Sequence, residues 1–90
     1  NIPRVLPEGV CAEIEFGTWD VLPVFDYIMK EGDVDISEMF RAFNMGIGMV
    51  LIVESSQTDE IIDQLQKAGE EACSIGIIGT GKKEVVINGI

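Results

Sequence analysis

Ninety residues allow one small domain, and a chain of that length buries only roughly 60% of the surface it exposes when unfolded. Sixteen acidic against six basic residues, with no histidine, leave a formal net charge of −10; affinity for nucleic acid or an anionic membrane surface depends on Lys and Arg, so that balance argues against both. No apolar stretch approaches the roughly 20 residues needed to span a bilayer.

Against this acidic background 47% of the residues are hydrophobic, so the chain carries more apolar surface than so small a body is expected to hide. It opens on Asn1-Ile2-Pro3-Arg4, without methionine, as though cut from something longer, and no signal peptide is visible. Cys11 and Cys73 lie far apart with no CxxC and no histidine to complete a zinc set. They read as two buried thiols of a reducing cytoplasm.

Residues 1–9, with Pro3 and Pro7 around Arg4, read as an extended lead-in without regular structure. Arg4 is the one cation among the first 29 residues, either a solvated arm or an anion ligand. Val10 to Phe16 alternates, with Val10, Ala12, Ile14 and Phe16 on a core face and Cys11, Glu13 and Glu15 in water. Glu13 and Glu15 are therefore solvated strand residues before they are a catalytic pair. Asp20 can cap a helix over 21–31, with Pro23 in its first turn, Val21, Phe25, Ile28 and Met29 as its buried stripe, and Gly32 at its end. Trp19 is expected to cover its start.

A second helix follows from Asp35, where Glu38 completes a capping box and Val34 and Met39 occupy the positions of a hydrophobic staple. Ile36, Met39, Phe40 and Phe43 form its stripe, and Arg41 lies on the flank as an exposed charge or an anion ligand. The chain then breaks at Asn44, passes Gly46 and Gly48, and enters Met49-Val50-Leu51-Ile52-Val53. That run has no alternation and predicts a strand buried on both faces in the middle of a sheet. Two residues apart in a strand, the glycines would bare one face for close packing of a helix or for a phosphate or nucleotide. A third helix is predicted over about 58–68, closed by Gly69, with Ile61, Ile62 and Leu65 inward. Residues 72–78 and 84–88 then read as a terminal hairpin. The order β-α-α-β-α-β-β makes this an α/β (α+β) chain with about three helices on a small mixed sheet.

Neither glycine motif survives its structural context. Gly76 to Lys82 satisfies GxxxxGK, but Lys83 stands where Ser or Thr would hold magnesium, and a strand follows instead of a helix. Gly46-Ile47-Gly48 precedes a strand and lacks the third glycine of a dinucleotide fingerprint. No nucleophile–base pair and no metal-ligand spacing is visible either.

The segment Glu38-Met39 followed by Arg41-Ala42-Phe43-Asn44-Met45-Gly46-Ile47-Gly48-Met49 resembles the FNxGxGM stretch of the phosphoribosylformylglycinamidine cyclo-ligase (AIR synthetase) family. Asn1-Ile2-Pro3-Arg4-Val5-Leu6-Pro7 is similar to that family's NxPRxLP stretch, and Trp19, Pro23-Val24-Phe25, Gly69, Ala72 and Ile75-Gly76-Ile77-Ile78 follow in matching order. The resemblance extends over essentially all of residues 1–90 and implies the C-terminal part of that enzyme's C-terminal domain. It further implies a cytoplasmic ligase of purine biosynthesis, a two-domain homodimer that uses ATP and Mg²⁺ to close formylglycinamidine ribonucleotide into aminoimidazole ribonucleotide. The N-terminal domain and a His-containing glycine-rich segment expected before Asn1 lie outside these residues. The piece alone is thus expected to bind neither cofactor, to be inactive, and to need the remainder of its own chain as partner. Arg4, Asn44, Gly46 and Gly48 are the positions that the resemblance carries into the small-molecule cleft, with no catalytic side chain and no metal ligand among them. A stand-alone ferredoxin-like interaction or small-molecule-sensing module is the alternative compatible with the same pattern.

Overall fold

The computed structural model describes all residues from Asn1 to Ile90. Its centre is strand β1 (Val10–Glu15), the segment with the clearest alternation. Ala12 and Ile14 point into a small core with Leu6, and Ile2, Val10, Trp19, Ile75, Val85 and Ile87 close around it. The strand ends one residue before Phe16, whose amide still donates to the Asn88 carbonyl. Cys11, on the other face, is buried as well, whereas Cys73 is exposed; both are free thiols. The expectation of two buried cysteines thus holds for one. Glu15 is exposed and accepts a hydrogen bond from Asn88 Nδ2 at 2.9 Å.

Strands β2 (Gly76–Thr80) and β3 (Val85–Asn88) do not form the expected hairpin. They flank β1 on opposite sides, in the order β2-β1-β3, with β2 antiparallel and β3 parallel to it. The short link between them resembled a hairpin turn, but it carries the chain across the end of β1, where the Gly81 amide donates to the Gly9 carbonyl. Ala12 is consequently paired to Ile78 on one side and Val85 on the other. The result is an α+β fold with a small mixed sheet.

Helix α1 (Pro23–Glu31) begins two residues later than predicted, with Leu22 and not Asp20 at its N-cap and Pro23 in the first turn. Helix α2 (Ile36–Ala42) has Asp35 at its N-cap, but no side-chain capping bond forms. Asp35 instead accepts from Ser37 Oγ, and Glu38 pairs with Arg41 at 2.9 Å, so the capping box is absent and Arg41 is an exposed helix charge. Met39 is fully buried, as its stripe position requires. Helix α3 (Thr58–Lys67) ends as predicted at Gly69, whose φ of +91° is glycine territory. Its last carbonyls are satisfied by Gly69 N–H to Gln66 O and Glu70 N–H to Leu65 O, the Schellman pattern. Residues 2–5, expected to be irregular, form a 3₁₀ turn.

Three rings tie the helices to the sheet. Phe16, Trp19 and Phe40 meet edge to face in all three pairs, with centroids 5.9–6.4 Å apart. Trp19 Nε1–H also donates to the Met45 carbonyl at 3.0 Å. Trp19 therefore covers α2 and the turn after it, not the start of α1.

The predicted central strand over 49–53 is not formed. Residues 49–53 pair with nothing and are exposed, Met49 at 83% and Leu51 at 55%. Only six residues are buried in the whole chain. The 42 backbone–backbone hydrogen bonds compare with roughly 60 expected for a folded chain of this length. A radius of gyration of 14.2 Å exceeds the approximately 12 Å of a compact one. Helix α3 packs substantially only on the 3₁₀ turn that leads into it. The reason for the missing strand is physical: an interior strand needs neighbours on both edges and cover on both faces, and these 90 residues supply neither there.

Two outcomes follow for stability. A Cβ on Gly76 would run into the Glu13 carbonyl across the β1–β2 pair, so Gly76→Val is expected to cost about 1–3 kcal/mol by overpacking. Trp19→Phe keeps an aromatic ring but deletes the bond to Met45, with an expected loss of about 1 kcal/mol. Thermal denaturation followed by circular dichroism reads both; unchanged midpoints would remove these contacts from the account.

Candidate functional site

The break after α2 is a tight turn with a defined cause at each position. Met45 and Gly46 have φ of +53° and +99°, and the Ile47 amide donates to the Asn44 carbonyl at 3.0 Å. That is the dihedral signature of a type I′ turn, which needs positive φ at both central residues. Asn44 Oδ1 accepts from the Gly46 amide at 2.9 Å, so its side chain holds the turn from within. Met45 pays for its strained backbone by burying its side chain and by giving its carbonyl to Trp19.

The two glycines consequently have different reasons to be there. Gly46 needs its positive φ, and a Cβ there would stand 3.4 Å from the Asp20 carbonyl. Gly48 has no positive φ, and a Cβ there would meet nothing within 4 Å. Gly46 lies in a turn and not a strand, so the two do not bare one strand face as a period of two would have them. Only Gly48 is bare without a local steric cause.

Both glycines line a cleft of about 1100 Å³. The loop from Gly17 to Asp20 forms one wall, Ile61, Ile62 and Leu65 of α3 another, and Met49 to Leu51 the floor between them. Its width follows from α3 standing off the sheet. Asn44 is not in the lining but orders the turn that reaches it. Arg4 is elsewhere: it sits exposed in the 3₁₀ turn, enters none of the ion pairs, and neighbours a second, apolar groove lined by Val5, Leu6 and Pro7. The structure therefore brings Asn44, Gly46 and Gly48 together and leaves Arg4 apart.

Trp19 was read from sequence only as a packing residue. Its cleft-facing position and its bond to Met45 make it the support of the glycine turn. The signal available in advance was that this chain has a single tryptophan, and a buried indole N–H seeks an acceptor.

The cofactors implied by the resemblance do not fit these residues. The charged residues of the cleft are Asp20, Glu70 and Glu71, all acidic, with no Lys or Arg to meet a triphosphate. No three His, Cys, Asp or Glu side chains converge to hold a metal ion. What this chain offers is an apolar wall with one bare backbone position. No helix is long and apolar enough to cross a membrane.

Comparison with known proteins accounts for a wall without a phosphate site. Residues 1–88 match the family described as AIR synthase related protein, C-terminal domain. The chain is 47% identical over 87 residues to a phosphoribosylformylglycinamidine cyclo-ligase of Alkaliphilus metalliredigens, covering 97% of this chain and 25% of that protein. It is 46% identical over 90 residues to the cyclo-ligase of Brevibacillus brevis, with 100% and 26% covered. With that of Bifidobacterium animalis subsp. lactis it shares 51% over 76 residues, 84% and 22% covered. The chain thus spans about a quarter of the length of the curated relatives it matches. Matched over nearly all of its residues, it belongs to the AIR synthase related protein, C-terminal domain family.

Proposed function

We propose that residues 1–90 are the C-terminal part of the C-terminal domain of an AIR synthetase. That enzyme closes formylglycinamidine ribonucleotide into aminoimidazole ribonucleotide at the expense of ATP, in the cytoplasm, as a homodimer. The observation that carries this reading is identity of 46–51% with cyclo-ligases over most or all of the chain, joined to a cleft that is acidic and apolar where a nucleotide site would be basic. ATP and Mg²⁺ would be held by the remainder of the chain, and the 90 residues alone would be inactive.

The role of this piece in that enzyme is positional. Ring closure needs the formyl group and the attacking nitrogen held in contact range and kept from water. Gly48 lets a ligand or a facing segment approach the backbone at the cleft floor, while Asn44 and Trp19 keep the turn in place. The stand-alone sensing module has no specific observation in its favour: a domain evolved to work alone would bury more than six residues.

In the complete enzyme Gly48→Val is expected to lower turnover at least tenfold with little change in melting temperature, because it adds bulk to open space. Gly46→Ala is expected to behave oppositely, melting earlier by the equivalent of about 1–2 kcal/mol because alanine resists positive φ. Steady-state cyclisation assays beside calorimetry separate the two. Equal losses of turnover and melting temperature in Gly48→Val would return that glycine to a packing role.

A further inference from the structure

From Gly48 to Val53 the backbone makes no hydrogen bond. The Ile47 amide is bonded to Asn44 before this stretch and the Glu54 carbonyl to Gln57 after it, and no polar side chain reaches the six residues between. Their side chains are apolar and exposed. A second unpaired backbone faces the same space, because β2 bonds to β1 on one edge and to nothing on the other. A groove of about 500 Å³ separates the two, with Val50 to Val53 on one wall, Ile78 of β2 on the other, and Leu6 and Val10 beneath. Ile77, the next residue of β2, is 67% exposed.

The chemistry of the walls selects the occupant. An acyl chain or another apolar small molecule would cover the side chains but leave backbone donors and acceptors buried without partners, at about 1–3 kcal/mol for each. A helix has spent its own backbone groups and has none to offer. An extended segment satisfies both rows at once, as in strand addition to an open sheet edge. A second copy of this chain would bring another net charge of −10 against the first, which opposes association. The curated relatives, by contrast, carry about three quarters of their length outside the matched stretch.

We propose that the groove between β2 and Met49–Val53 receives an apolar β-strand from the remainder of the cyclo-ligase chain, which pairs with β2 on one edge and with Met49–Val53 on the other. This rests on the cyclo-ligase reading and adds the form of the missing element. The sheet then runs Met49–Val53, added strand, β2, β1, β3. The Met49–Val53 run becomes an edge strand, so only every second amide in it faces the added strand.

Residue-resolved hydrogen exchange on the complete enzyme tests the arrangement. Alternate amides across residues 49–53, together with the outer-edge amides of β2, are expected to exchange at least 100-fold more slowly than unstructured amides. Exchange at unstructured rates throughout 49–53 would overturn the proposal, and so would uniform protection without alternation, which a covering helix or loop would produce. Protection that disappears on dilution would assign the groove to a second copy and equally overturn it. Cyclisation assayed on the same preparation keeps the two readings apart. An active enzyme with an unprotected run refutes the strand alone; an inactive one with alternating protection supports the strand and refutes the activity.

Discussion

The constraint that governs this chain is the backbone of Gly48 to Val53. Six consecutive residues whose side chains seek an apolar interior have no hydrogen-bond partner for their main chain. Burial without pairing would leave polar groups stranded, and pairing requires a strand that these 90 residues do not contain. The run therefore lies open, with an apolar cavity on either side of it. The detachment of α3, the few buried residues and the large radius follow from the same lack of a filling element. An exposed apolar run of this kind marks an interaction surface in a native protein.

The part of the chain that does cohere is organised about Trp19. Its ring meets Phe16 at the end of β1 and Phe40 on α2, and its N–H holds Met45 in the turn that carries Gly46 and Gly48. Sheet, helix pair and glycine turn thus share one side chain. Aromatic pairs of this geometry contribute about 0.5–1.5 kcal/mol each beyond the area they bury. For a body with so little interior, that is a large share of what fixes the turn. Function, on this account, comes from a rigid turn set beside an open surface that the rest of the enzyme closes.

The readable parts of the sequence were those governed by local rules. The alternation of Val10 to Ile14, the stripes of α1 to α3 and the stop at Gly69 depend on residues within one turn or one strand of each other, and they appear as expected. What failed depended on partners distant in sequence. The link from Gly81 to Glu84 has the length of a hairpin turn, yet β1 attracts both strands because it is the one segment with a face deep enough to cover. Asp35 and Glu38 had the spacing of a capping box but found Ser37 and Arg41 closer to hand. At the candidate site, Asn44 and the glycines were visible as a break, whereas the distinct causes at Gly46 and Gly48 required dihedral angles and a Cβ test. Arg4 could not be separated from the cleft by spacing, since its position depends on how the first turn lies against the sheet.

The claim that joins these observations is that the open run is covered when the chain is whole. Met49, 83% exposed here, reports on it directly through the oxidation rate of its thioether. Hydroxyl-radical footprinting of the complete enzyme should find Met49 oxidised at least tenfold more slowly than free methionine. Oxidation at the free rate, in an enzyme that is folded and active, would show that the run stays open to water and would contradict the account.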